Sequence, residues 1–330
     1  MSFSARLSTA LLCVVWASEI VRIFQPVPWL AGLGAACLAT YMAMALGRAS
    51  AHIRAVFVLA MAASAGIAFH LGSARALLAG FDKGQIFGAF LPAALLLRAT
   101  VESSDHVVTV RTSLRGLQSE AVQSWTQFCS HALGSVLNAG ATAMLAPLVA
   151  PGADKARRAE LARSAARGVG GAVVWSPFFP ALAFTSQLVP EVPLWQAMLI
   201  GAGLAVLGFL VSYAIFTPSL GWRDFFASLA GLRPLLAPVS LLIGAVVGST
   251  IVFGWSGLQS VAFVVPMICA GYLMSVGWAT SRQVAQSAAS SFSLLSNELL
   301  IVVGATILGA SIAALPEVGR LGAAFNPNLV

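Results

Sequence analysis

The segment that decides the fold reads SHALGSVLNAGATAMLAPL and covers residues 130–148. It is apolar over most of its length, but Gly134, Asn138 and Gly140 interrupt its middle. Glycine weakens a helix, and an asparagine side chain can bind the backbone groups that a helix break sets free. We therefore predict a break near Asn138. Inside a membrane protein such a break is expected to be buried or to line a cavity, because lipid cannot satisfy open N–H and C=O groups.

The composition of the whole chain places this segment in a membrane protein. The 330 residues are 59% hydrophobic and only 9% charged, whereas a soluble domain carries about a quarter charged residues. The lipid bilayer is therefore the expected partner. The net charge of +7 does not point to nucleic acid, because most of the 18 Lys and Arg residues lie in short gaps between apolar runs. That distribution is typical of the positive-inside rule.

The apolar runs predict an all-α polytopic fold in a single transmembrane domain, 1–330, with about nine transmembrane helices and one re-entrant hairpin over 121–150. The nine runs cover residues 7–24, 28–46, 54–72, 84–97, 168–188, 194–216, 234–254, 256–277 and 290–314. Within the first run, the apolar stretch from Leu7 to Ala17 follows Arg6 and resembles a signal peptide. Glu19 and Arg22 follow this stretch without a clear cleavage site, which favours an uncleaved first helix.

The positive charges test how residues 121–150 cross the bilayer. If this stretch enters and leaves on one side and the N-terminus is cytoplasmic, 14 of the 18 Lys and Arg residues are cytoplasmic. If it crosses once, only 7 are. The charge bias therefore favours a re-entrant hairpin in a bacterial inner membrane protein with a cytoplasmic N-terminus.

A second break is predicted in residues 168–188, which read GVGGAVVWSPFFPALAFTSQL. Pro177 and Pro180 each remove a backbone donor, so we expect an interruption around Ser176–Pro180. Gly168, Gly170 and Gly171 favour close helix approach. Two interrupted segments in succession indicate a transporter site, because half-helix N-termini attract anions and unwound carbonyls coordinate cations.

These residues resemble the ion transporter superfamily, which includes divalent anion:sodium symporters, arsenite permeases and the large membrane subunit of tripartite transporters. The shared pattern is a hairpin tip with Asn138, Gly140 and Thr142 that ends in Pro147, a basic linker, and a Gly-Gly helix broken at Ser176 and Pro177. The resemblance implies two inverted repeats, here a first repeat over 1–216 and a partial second repeat over 217–330.

The resemblance also implies the site and the activity. Residues Asn138, Gly140, Thr142, Ser176 and Pro177 would bind the substrate or ion, and the protein would be a secondary transporter of a small anionic or polar solute. Its coupling ion would be Na⁺ or H⁺, with no other cofactor. A second hairpin is missing after Glu298, so either the chain is a C-terminally truncated form or its second half is degenerate. A homodimer is among the assemblies that the sequence permits.

Three groups of ionisable residues leave alternatives open. Glu298 is either a carrier of the coupling ion or part of the polar start of the last helix. His131 either titrates during transport or binds a backbone carbonyl. Glu19 and Arg22 form either an interfacial i,i+3 pair or a relay.

No enzymatic motif is found in the sequence. It has no Walker loop, no HExxH and no paired carboxylates on one helix face, so we expect neither an enzyme nor a metal site. The rival to a transporter is a membrane subunit or permease fragment that translocates nothing without a partner chain.

Overall fold

The computed structural model describes residues 3–104, 119–137, 154–189, 192–216 and 233–318, together with Phe226 and Ala230. Over these residues the chain is helical, with no strand. The helices are α1 Phe3–Phe24, α2 Pro28–Arg48, α3 Ala51–His70, α4 Arg75–Gly84, α5 Phe87–Glu102, α6 Ser119–Leu137, α7 Lys155–Val173, α8 Pro180–Leu188, α9 Leu194–Phe216, α10 Arg233–Phe253, α11 Gly257–Val276, α12 Trp278–Ser291, a 3₁₀ turn Phe292–Leu295 and α13 Ser296–Ala313.

Eight helical stretches in the described part of the chain are long and apolar enough to cross a membrane. They are Phe3–Phe24, Pro28–Arg48, Ala51–His70, Arg75–Glu102, Leu194–Phe216, Arg233–Phe253, Gly257–Val276 and Trp278–Ala313. This number of spans is typical of a polytopic membrane protein. They coincide with eight of the nine predicted runs, and the ninth, 168–188, is the run with the predicted break.

Helix α6 covers the first part of the predicted hairpin and ends at Leu137. Asn138, Gly140 and Thr142 lie outside the described residues, as does the rest of the stretch up to residue 153. The re-entrant path of the hairpin therefore stays a prediction.

The chain divides into two compact units. Residues 1–92 and 286–330 belong to the first unit, and residues 93–285 belong to the second. This division does not follow the predicted repeats at 216 and 217, and the repeat organisation stays a prediction.

In the first unit, α13 packs against α2, α3 and α4. Glycines allow this packing: a β-carbon at Gly80 would lie 2.7 Å from Cα of Ile307, and one at Gly304 would lie 2.9 Å from the ring of Phe57. Ile307 is fully buried. In a lipid bilayer, burying apolar side chains between helices yields no hydrophobic free energy, because the lipid tails are equally apolar. Transmembrane helices therefore usually associate through small residues that let their backbones approach closely.

A polar cluster joins α1 to α4 in the same unit. Arg22 donates to Glu19 at 2.6 Å and to Asp82 at 2.8 Å, and the amide nitrogen of Gln85 donates to Asp82 at 3.2 Å. Glu19 is buried, whereas the Asp82 side chain is half exposed. The i,i+3 pair is therefore present, and Asp82 extends it to a second helix.

Glu298 lies in the first turn of α13 and is exposed. Its neighbour Asn297 accepts a hydrogen bond from the backbone N–H of Ser50 at 3.1 Å. This geometry favours the interpretation of Glu298 as part of a polar helix start, where a carboxylate also interacts well with the helix dipole. Its role in coupling stays a prediction.

Candidate functional site

A break in the second unit separates α7, which ends at Val173, from α8, which begins at Pro180. Its position is the one that the two prolines predict, because neither Pro177 nor Pro180 has an N–H to continue a helical ladder. The backbone N–H groups of the connecting residues make short-range turn bonds, among them from Ser176 N–H to the Ala172 carbonyl at 3.0 Å and from Phe179 N–H to the Ser176 carbonyl at 3.2 Å.

The break leaves backbone carbonyl groups and backbone N–H groups open, that is, without a hydrogen-bond partner among the described residues. Among the described residues, four of its carbonyls accept no hydrogen bond, those of Val174, Trp175, Pro177 and Phe178. At the start of α8, the N–H groups of Ala181 and Leu182 likewise find no acceptor in the described part. Pro177, Phe178 and Leu182 are buried residues. Val174 and Ala181, in contrast, are exposed. Since buried backbone groups are nearly always paired, the open groups of the three buried residues could accept water, an ion or a solute as a partner.

Ser176 fixes the break to α6. Its hydroxyl donates to the carbonyl of Ser135 in the last turns of α6 and accepts from the N–H of Phe178 at 3.2 Å. The residue is fully buried. The hydroxyl of Ser176 therefore uses both its donor and an acceptor lone pair in hydrogen bonds. These bonds orient the neighbouring open carbonyls, and the Ser176 hydroxyl itself is already hydrogen-bonded.

His131 makes the second connection between α6 and the break. Its Nδ1 lies 3.2 Å from the Gly168 carbonyl, and its Nε2 accepts from the indole N–H of Trp175 at 3.2 Å. An indole can only donate, so Nε2 is the unprotonated nitrogen and Nδ1 carries the proton. The predicted bond to a backbone carbonyl is therefore present. Titration of His131 during transport stays a prediction, and a proton on Nε2 would break the bond from Trp175.

Glycines bring these elements together. A β-carbon at Gly168 would lie 2.0 Å from Ser130 Oγ and 2.2 Å from the Gln127 carbonyl oxygen, and one at Gly171 would lie 3.2 Å from His131 Nδ1. Gly170 has nothing within 4 Å. The predicted close approach thus depends on Gly168 and Gly171 and not on Gly170.

Two residues of this site were not singled out from the sequence. Trp175 binds His131 as described. Gly201 of α9 lets the break approach that helix, because a β-carbon there would lie 2.0 Å from the Val174 carbonyl oxygen. The only sequence signal for either is position: Trp175 directly precedes Ser176, and Gly201 interrupts an apolar span.

The site holds no metal-ligand cluster. Over the residues that the structure describes, no group of three or more His, Cys, Asp or Glu side chains lies close enough to hold a metal ion. Ser176, Pro177 and His131 lie together at the break, whereas Glu298 belongs to the first unit. Asn138, Gly140 and Thr142 were assigned to the site only from the sequence. No family model, no curated protein and no solved structure matches this chain.

The bond between Trp175 and His131 predicts a measurable coupling. Trp175→Phe keeps a ring but removes the donor, and His131→Phe keeps an aromatic side chain against Phe209, whose ring centre lies 4.7 Å away. Each single change should lower the free energy of unfolding by about 1 kcal/mol, because a half-buried partner is left unpaired. The double variant should lose about 1 kcal/mol less than the sum of the singles. Unfolding in detergent measures this, with Trp195→Phe on α9 as control, and strict additivity would contradict the bond.

Proposed function

We propose that this protein is an ion-coupled secondary transporter of a small anionic or polar solute, in the bacterial inner membrane with its N-terminus in the cytoplasm. The observation that supports this proposal most is the break at residues 174–179. It offers carbonyls and N–H groups without a hydrogen-bond partner in the described part of the chain, at one place in an apolar helical protein.

Coupled transport requires a site for the coupling ion and a site for the solute, and the open carbonyl and N–H groups suit these two ligands. Carbonyl oxygens without a hydrogen-bond partner are ligands for a dehydrated cation, and Na⁺ fits them better than H⁺ because an amide carbonyl is not protonated near neutral pH. The free N–H groups at the start of α8 carry the positive end of a helix dipole and suit an anion. A solute and its coupling ion would then share one break.

The resemblance to the ion transporter superfamily supplies the rest of the proposed site. Asn138, Gly140 and Thr142 would form the tip of a re-entrant hairpin facing the break, and the fold would be an inverted-repeat transporter with an incomplete second repeat. Helix α6 supports this in one respect, since Ser135 and His131, in its last two turns, are bonded to the break.

The proposal is tested with purified protein in proteoliposomes. An inward Na⁺ gradient, an inward H⁺ gradient or no gradient is applied, and uptake of radiolabelled succinate, sulfate and arsenite is measured. We expect at least one of these solutes to accumulate at least fivefold over empty liposomes in the Na⁺ gradient. Ser176→Val should lower that uptake tenfold or more, about 1.4 kcal/mol, because it removes the bonds that orient the break.

The matched control is Ser186→Ala in α8. Its hydroxyl donates to the Ala183 carbonyl of its own helix at 2.8 Å, so its loss should leave uptake unchanged. An equal loss of uptake in Ser176→Val and Ser186→Ala would mean that the bonds of Ser176 at the break are not specifically required for transport. Folded protein that accumulates no solute under any gradient would favour the rival, a membrane subunit that needs a partner chain.

A further inference from the structure

A cavity of about 480 Å³ lies in the second unit between α5, α6, α10 and α11. Its wall is almost entirely apolar and includes Leu133, Leu242 and Gly271. This volume is in the range of small-molecule sites. The proposed transporter site does not use it.

The hydroxyl-bearing side chains among the described residues of this wall, those of Thr100, Ser104 and Tyr272, already have interaction partners. The hydroxyl of Thr100 donates to the Leu96 carbonyl at 2.8 Å, and that of Ser104 donates to the Val101 carbonyl at 2.8 Å. Among the described residues, no Lys, Arg, Asp or Glu lines the cavity. A bound water needs two to four polar partners, so an apolar molecule is the better occupant.

The surroundings of the cavity identify this apolar molecule. Helices α10 and α11 are candidate spans, and α5 belongs to a third. A cavity that opens between such helices faces acyl chains. Two of these helices also carry cations near the lining residues in the sequence: Arg98 lies between Leu97 and Thr100 on α5, and Arg233 is the first residue of α10, two positions before Leu235. Glu102 offsets Arg98 at 2.9 Å, whereas Arg233 is exposed and has no ion-pair partner among the described residues, so its charge suits an anionic headgroup.

We propose that this cavity binds one acyl chain of an anionic phospholipid, with the phosphate near Arg233. The cavity shares α6 with the break but is lined by other residues of that helix, and the proposal does not depend on transport. Cys269 provides the probe, because it lines the cavity and is buried.

The experiment uses the full chain in maltoside detergent, with Cys269 as the only cysteine after Cys13→Ser, Cys37→Ser and Cys129→Ala. Alkylation by N-ethylmaleimide is followed by intact mass. We expect palmitoyl-oleoyl phosphatidylglycerol to slow alkylation at least fivefold, and the phosphatidylcholine of the same chains to slow it less than half as much. In the Arg233→Gln variant, phosphatidylglycerol should slow alkylation no more than phosphatidylcholine does.

Gly271→Leu fills the cavity, because Gly271 lines it and has nothing within 4 Å. This variant should lose the lipid effect and retain one phosphatidylglycerol fewer in native mass spectrometry. The control Gly203→Leu lies on α9 outside the cavity wall and should behave as the parent. The proposal is overturned if neither lipid slows alkylation, if both do so equally, if sodium oleate equals phosphatidylglycerol, or if Gly271→Leu retains as much lipid as the parent.

Discussion

Replacing Gly168 by alanine is expected to destabilise the protein by about 3 kcal/mol. The added β-carbon would lie 2.0 Å from Ser130 Oγ, 2.2 Å from the Gln127 carbonyl oxygen and 3.0 Å from the His131 backbone nitrogen. Two of these three atoms are backbone and cannot rotate away. Helices α6 and α7 must therefore separate, and the separation also strains the bond between His131 and the Gly168 carbonyl.

Gly170→Ala is the matched control for this change. Gly170 lies two residues further along α7, is exposed and has nothing within 4 Å. Alanine there should stabilise the helix by about 0.5 to 1 kcal/mol, because glycine is the poorer helix former. The two variants should thus shift the unfolding midpoint in detergent in opposite directions. Equal midpoints would contradict the close packing of α6 on α7.

The sequence alone predicts the features that depend on local chemistry. Prolines 177 and 180 predict the break, because the loss of an N–H acts wherever the helix lies. Long apolar runs predict the spans, because the thickness of the hydrocarbon core sets their length. The i,i+3 spacing predicts the pair of Glu19 and Arg22, because residues three apart share a helix face.

Features that depend on tertiary contact could not be predicted. Nothing near Arg22 in the sequence points to Asp82, which lies 60 positions away and shares its guanidinium. Gly168 and Gly170 look alike in the sequence, yet only Gly168 faces α6. The tautomer of His131 is set by Trp175, 44 residues later. Each of these facts depends on how helices pack, which short patterns do not encode.

Replacing Gly201 by alanine is expected to disturb the break itself. The new β-carbon would lie 2.0 Å from the Val174 carbonyl oxygen, 2.7 Å from its carbon and 3.0 Å from Trp175 Cα. All three are backbone atoms of the first turn of the break, so this turn must move away from α9. Overpacking of this kind costs about 1 to 3 kcal/mol. The strain falls on a segment with few hydrogen bonds of its own, so the segment should open locally before the whole protein unfolds.

Hydrogen exchange measures this opening without any assumption about transport. The N–H groups of Phe178 and Phe179 bind the hydroxyl and carbonyl of Ser176, and both should exchange about tenfold faster in the Gly201→Ala variant, which corresponds to about 1.4 kcal/mol. Gly203→Ala is the control, because Gly203 lies on the same helix with nothing within 4 Å. Its exchange over residues 172–182 should match the parent. Unchanged exchange in the Gly201 variant would mean that the break does not rest on α9, and its open carbonyls would then need another support to keep a binding geometry.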